Sequence, residues 1–412
     1  MSENTQYDKN AGSGMFERHY VKTIVDRISE TNNPLMQVVV GPRQTGKSTM
    51  LGQALAKIDT EQFFISADDA IVPSEEWLQV EWQQARNATR SGSRPVVLVV
   101  DEIQKVPHWS LVVKSLYDAD RRNDTPVRVV LSGSSSLLLH KGLKDSLMGR
   151  FELIHSPHWS YSECSQAFDF SFDDYLYYGG YPGAARFASD DARWISYIRE
   201  AIIEPTISQD VLALEDIRKP ALMRALFRLG ATYSAQEFSY TKMLGQLQDA
   251  GNTVTVAHYL DLLDKAGMLC GIQKYDARVV KRRKSSPRFM VYDTSLMTAS
   301  SGIEKSRYLG EPDLRGHLVE SAVGARLLAR ASEEGLGVYW WREGIKEVDF
   351  VVSRGFDSLS AIEVKSGKEK GQSGMADFLS ANPNAKRIVV GGAASGACGV
   401  EEFLKDEVEL FY

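Results

Sequence analysis

Gly41, Pro42, Arg43, Gln44, Thr45, Gly46, Lys47 and Ser48 follow one another as G-x-x-x-x-G-K-S, between the apolar run "LMQVVV" and a segment rich in helix formers. In that setting two glycines let the backbone close around phosphate oxygens. A lysine neutralises the β- and γ-phosphates, and a serine hydroxyl completes a Mg²⁺ shell. These residues, with Thr49 behind them, are the expected nucleotide-binding set. Lys47 is also expected in catalysis and Ser48 on the metal. Downstream, "RPVVLVVDEIQKVPHW" carries an apolar strand into Asp101 and Glu102. A buried parallel strand presents ligand-side residues at that end. Asp101 is expected to hold Mg²⁺ through water and to help bind the nucleotide, and Glu102 to polarise an attacking water. A third strand, "VRVVLSGSSSLLL", ends in Ser132 to Ser136, and Ser134 is its candidate γ-phosphate sensor.

A second set of chemically capable residues lies near the C-terminus. "HLVESAVGARLLARA" predicts a helix bearing Glu320, "VYWWRE" a strand, and "EVDFVVSRGFDSLSAIEVKSG" two more strands bearing Asp349, Glu363 and Lys365. Alternation puts Ile362 and Val364 on one face of their strand and Glu363 with Lys365 on the other, and Val348 and Phe350 flank Asp349 in the same way. Pairing the strands as a hairpin would bring Asp349 close to Glu363. Two carboxylates on one buried edge repel unless a cation separates them. With a helix from about residue 374 and the strand "KRIVVGG", the αβββαβ order resembles the PD-(D/E)xK nuclease family, although Asp349 follows Val348 and not a proline. Mg²⁺ suits such a set because it takes oxygen ligands and keeps waters that can be deprotonated. Asp349, Glu363 and Glu320 are the expected metal ligands, and Lys365 is expected to orient the nucleophile or stabilise developing charge.

"VVVGPRQTGKST", "VVDEIQKVPHW", "VVLSGSSSLLL", "MGRFE" and "YYGGYPG" together resemble a family of prokaryotic AAA+-like ATPases that carry a C-terminal domain of unknown function. The resemblance covers nearly the whole chain after its first residues. It implies a P-loop core over 16–158, a helical lid over 159–205, a winged-helix domain over 206–303 and the nuclease-like α/β domain over 311–412. It makes Gly180 and Pro182 candidates for a lid element near the nucleotide. Arg150 becomes a candidate phosphate-reaching arginine, acting from a neighbouring subunit of a homo-oligomer or serving only structure. From the residues, "TVTVAHYLDLLDKAG" is an amphipathic helix with a threonine cap and a stop at Gly267. Two β-rich runs joined by "KRRKSSPR" follow it. Lys281, Arg282, Arg283, Lys284 and Arg288 then lie on a wing, where they would meet DNA phosphates, or else form an ordinary soluble loop.

Composition narrows the rest. The chain has 412 residues, 43% hydrophobic and 25% charged, enough for several cores. No apolar run approaches the ~20 residues of a membrane helix. The polar first residues, 1–15, lack a secretory pattern and read as a flexible tail, so a cytoplasmic protein is expected. Cys164, Cys270 and Cys398 are odd in number and far apart, which argues against disulfides and zinc, and "HSPH" reads as a loop. Net charge is −6, so contact with nucleic acid must come from local basic patches. ATP and Mg²⁺ are the expected cofactors. Three arrangements stay open: an ATP-driven enzyme that cuts DNA, an ATP-dependent switch whose C-terminal domain only docks a partner, and a nuclease with a slow regulatory ATP clamp.

Overall fold

The computed structural model describes residues 15–412 except 32–34, 92–94, 134–142, 144–145, 213–216, 218, 248–251, 277–285, 356–357, 366–371 and 394. Ser134, the basic run Lys281 to Lys284 and nearly all of the expected tail therefore lie outside the described residues. The chain forms two compact units, the first ending at Ser156 and the second running from Pro157 to Tyr412.

The first unit is built on a parallel sheet of β1 (Met36–Val40), β2 (Gln62–Ser66), β3 (Val96–Asp101), β4 (Val127–Gly133) and β5 (Phe151–His155), in the order β2-β3-β4-β1-β5. Every residue of β1 and β3 is buried, as a sheet covered on both faces requires. Alternate side chains feed two cores. Val38, Val40, Leu98, Val100 and Leu131 pack against α3 (Glu75–Ser91) and α4 (Trp109–Arg122). Val39, Val97, Val99 and Val130 pack against α1 (Tyr20–Ile28) and α2 (Lys47–Leu55). Asp120 ties α4 to α3, accepting from Trp82 Nε1 at 2.7 Å and Arg86 Nε at 2.6 Å. Strand order carries the functional consequence: β4 lies between β1 and β3, so the carboxyl ends of all three strands form one row.

The second unit begins with helices, among them Tyr161–Phe168 and Phe172–Tyr178, each opened by a serine in a reciprocal capping box. The helices Pro220–Thr232, Tyr240–Gln246 and Thr253–Lys265 follow, then β6 (Leu269–Lys274) and β7 (Arg288–Val291). That is the expected helix and hairpin order. The cap of Thr253–Lys265 is Asn252, however, whose side chain accepts from the Thr255 amide at 2.9 Å, and not a threonine. Gly267, at φ +69°, ends the helix as its composition predicts.

The expected αβββαβ order is present: helix Pro312–Glu334, β8 (Gly337–Glu343), β9 (Lys346–Arg354), β10 (Ser358–Lys365), helix Met375–Ala381 and β12 (Lys386–Gly391), with β11 (Gln372–Ser373) added beside β9. The hairpin expected to stand apart as a wing joins this same sheet. Its order is β12-β10-β9-β8-β6-β7, and β6 runs parallel to β8 with Gln273 opposite Tyr339 and Lys274 opposite Trp340. Between the expected winged-helix and nuclease-like domains, two helices, Lys305–Gly310 and Pro312–Glu334, follow each other with only Glu311 between them. Backbone pairing across β6 and β8 thus places the β6–β7 hairpin in the same sheet as the C-terminal strands.

Candidate functional site: the P-loop and the C-terminal carboxylates

Two glycines shape the loop after β1 for different reasons. A side chain on Gly41 would stand 2.0 Å from the Ser156 carbonyl, whereas Gly46 has open space but a φ of +84°. Gln44 and Glu102 also adopt positive φ, at 62° and 52°. Non-glycine residues held there commonly mark functional turns. Lys47 is buried at the start of α2 and donates to the carbonyls of Pro42 at 2.7 Å and Gly41 at 3.1 Å, so its ammonium lies against the loop backbone. Thr45 Oγ1 closes the loop on the Pro42 carbonyl at 3.0 Å.

The row of strand ends converges on Asp101. Its Oδ2 accepts from Ser48 Oγ at 2.5 Å, and its Oδ1 accepts from the Glu102 amide at 3.1 Å and from Ser132 Oγ. Residues from α2, β3 and β4 therefore share one buried carboxylate, which is 4% exposed. Mg²⁺ binds oxygen ligands, needs only one or two carboxylates and keeps several waters. Ser48 and Asp101 fit that requirement. Glu102 lies beside them, its Oε2 accepting from Gln104 Nε2 at 2.5 Å. Arg43, Gln44 and Thr49 belong to the same loop and helix start, where Gln44 and Thr49 are exposed.

Arg150 has an intramolecular partner. Its Nε and Nη2 donate to the two oxygens of Asp118 on α4, at 2.7 and 2.9 Å. That hydrogen-bonded fork holds the Asp118 carboxyl below its usual range. In the second unit, Pro182 opens the short helix Pro182–Ala185. The Gly180 amide donates to Asp293 at 2.7 Å, and a side chain at Gly180 would stand 2.3 Å from the Trp159 carbonyl. Gly180 of "YYGGYPG" thus meets a packing need within this unit. His158 bonds Tyr181 Oη at 2.9 Å.

In the C-terminal sheet, the β9–β10 ladder runs as far as Ile362 opposite Phe350. Past it, Asp349 Oδ2 accepts from the Val364 amide at 2.8 Å, while β10 continues against β12 with Glu363 opposite Val389. Glu363 is buried, and Lys365 Nζ lies 2.8 Å from its Oε1. Expected on an exposed wing, Arg288 is 3% exposed and turned into the carboxylates. Nη1 donates to Glu320 Oε1 at 2.9 Å and to the Asp349 carbonyl at 3.2 Å, Nη2 donates to Glu347, and Asp349 Oδ1 lies 3.7 Å from Nη1. Burial works against the Arg288 charge. Glu320, Glu347 and Asp349 more than offset it and hold the guanidinium firmly charged. Burial also pushes the Asp349 carboxyl up, and Arg288 pulls it only partly back.

These residues do not fit Mg²⁺. Glu320 Oε1 already accepts from the guanidinium, Asp349 Oδ2 accepts from the Val364 amide with Oδ1 3.7 Å from Arg288 Nη1, and Glu363 Oε1 is paired with Lys365. A divalent ion here would have to displace these contacts and sit beside the fixed charge of Arg288, which repels it. Among the described residues no group of three or more His, Cys, Asp or Glu is placed to hold a metal. Glu347 is absent from the expected set, and in the run Ser132 to Ser136 it is Ser132 that bonds Asp101. Glu347 is two residues before Asp349 on the same strand, and Ser132 is the last side chain of β4 before its closing Gly133.

A central parallel sheet with a phosphate loop after β1 and a carboxylate at the end of β3 defines a P-loop nucleotide-binding core. Residues 33–165 match the family described as AAA domain, and this match supports an AAA-type ATPase core. Residues 169–307 and 315–397 match two domains of unknown function, DUF8612 and DUF4143. An uncharacterized protein of Haemophilus influenzae is 22% identical over 87% of this chain and 89% of its own length. An uncharacterized protein of Mycobacterium tuberculosis is 29% identical over 74% of this chain and 64% of its own. Among solved structures, the Aeropyrum pernix ORC1 protein in complex with DNA aligns over 68% of this chain and 91% of that one, at 13% identity and a TM-score of 0.30. A structure of katanin self-assembly aligns over 60% and 89%, at 19% identity and the same TM-score of 0.30. Overlap that slight carries no argument about function. Among the described residues no helix is long and apolar enough to cross a membrane.

Proposed function

We propose that this chain binds and hydrolyses ATP in its first unit and uses the nucleotide state to control a partner held by its second. The observation that carries the reading is the convergence of Ser48, Asp101 and Ser132, from three different elements, next to the P-loop lysine. Lys47 would exchange its loop carbonyls for β- and γ-phosphate oxygens, since an ammonium gains more from anionic acceptors than from neutral ones. Ser48 and Asp101 would hold Mg²⁺, which supplies positive charge to the phosphates. Ser132 keeps the Asp101 carboxylate oriented, and Glu102 takes the proton of the attacking water. Arg150 belongs to the scaffold in this scheme, because its fork is committed to Asp118.

For the second unit, docking is favoured over cutting, on the observation that Arg288 lies among the carboxylates expected to bind metal. DNA is the proposed partner, through the basic run Lys281 to Lys284. Alanine at those four positions should weaken DNA binding and flatten its dependence on salt. Unchanged affinity at low salt would remove DNA from the proposal. The ATPase half is tested by phosphate release from Lys47→Ala, where turnover like that of the wild type would defeat it.

A further inference from the structure

Arg288 is fixed before any ligand is considered. It opens β7 opposite Ile272 of β6, and Phe289, Met290 and Val291 behind it are all 0% exposed. The Phe289 amide donates to the Gln236 carbonyl at 3.1 Å, and its carbonyl accepts from the Ala235 amide at 2.8 Å. The guanidinium carbon lies 5.4 Å from the Trp340 ring centroid, so an aromatic face covers it from β8. Its position is set by strand register and not by a mobile side chain.

The carboxylates around it are divided between protein cations. Glu320 from helix Pro312–Glu334 and Glu347 and Asp349 from β9 meet Arg288, while Glu363 from β10 meets Lys365. We infer that Arg288 is the resident cation of this cluster, so that the C-terminal sheet takes no divalent metal there. A planar guanidinium forks to several carboxylates at once and never loses its proton, which makes it an adequate permanent counter-ion where a metal would exchange. The inference deepens the docking reading of the second unit, since a sheet whose acidic residues are engaged by Arg288 and Lys365 has no metal with which to activate water. It also makes the cluster a seam, joining β7, β9 and the long helix through one side chain.

The test is Mn²⁺ binding to the full chain without nucleotide, read as loss of the free-ion resonance. The four proteins are the wild type, Asp349→Asn, Arg288→Met and the Arg288→Met/Asp349→Asn double variant. All four retain Ser48 and Asp101, so any binding there is common to them. Wild type and Asp349→Asn should bind equally, whereas Arg288→Met should gain one Mn²⁺ that the double variant loses. A wild-type Mn²⁺ that disappears in Asp349→Asn would overturn the inference, as would no gain in a folded Arg288→Met. If Arg288→Met does not fold, the first pair alone decides. Plasmid cleavage tests the docking reading separately: cutting that survives Asp349→Asn would defeat docking and leave the cation assignment standing.

Discussion

Asp101→Asn separates the chemistry of the P-loop unit from its stability. The Asp101 carboxylate is 4% exposed and held by two hydroxyls and one amide, and among the described residues no cation pairs with it. Hydrogen bonds to a charged acceptor contribute about 1.5–3 kcal/mol each, against roughly 0.5–1.5 for neutral pairs. Exchanging the carboxylate for an amide therefore loses roughly 2–3 kcal/mol over the two hydroxyl contacts. Relief from burying a charge, which costs several kcal/mol per ion, works in the opposite direction. The two nearly cancel, and urea unfolding of the nucleotide-free protein should shift by no more than about 1 kcal/mol. Hydrolysis has no such compensation, because an amide cannot supply the anionic ligand that orients the phosphate charge. A fall on the order of 10²-fold, equivalent to ~2.7 kcal/mol of barrier, is expected in phosphate release. Turnover within ~3-fold of wild type would refute the assignment of Asp101. A loss of stability above ~3 kcal/mol would show its role to be structural.

Other outcomes follow from buried charge in the second unit. Arg288→Met should lower stability by about 3–5 kcal/mol in urea unfolding, the usual cost of stranding the partners of a buried ion pair, and a loss under ~1 kcal/mol would contradict the seam described above. Burial raises the Asp264 carboxyl above its ordinary 3.8, and the hydrogen bond from Tyr292 only partly opposes this. A raised carboxyl contributes stability that is fully present below 3.8 and is lost as pH rises through its folded value. Asp264→Asn should accordingly be more stable than wild type at neutral pH, with the gap closing as pH falls toward 3.8. A constant gap across that range would remove the titration argument.

The P-loop and the strand end that faces it were legible in the sequence because their parts are local. A loop, a strand end and a helix start each carry their own residue pattern, and a parallel sheet needs only one strand order to bring them together. What the pattern did not reveal was which serine of the run 132–136 would reach Asp101. That depends on where β4 stops, and it stops at Gly133 with Ser132 facing β3. Arg150 was ambiguous because an arginine after a glycine looks the same whether it reaches a phosphate or Asp118. The C-terminal elements were also legible, since alternation of apolar residues marks each strand. Arg288 was not. Four cations precede it in "KRRKSSPR", and nothing local distinguishes the last one, whose burial comes from β6 pairing with β8 across sixty-odd residues of chain. Long-range register decides whether a charge faces water or a core, and composition carries no trace of it.

The most direct measurement is paired nucleotide binding and phosphate release on the wild type, Lys47→Ala and Glu102→Gln under identical Mg²⁺ and ATP. The wild type should bind and turn over, Lys47→Ala should lose both, and Glu102→Gln should bind ATP yet release phosphate at least ~10²-fold more slowly, the effect expected of losing a general base. A Glu102→Gln protein that turns over like the wild type, or a Lys47→Ala protein that still binds and hydrolyses, would contradict the assignment of this unit as an ATPase.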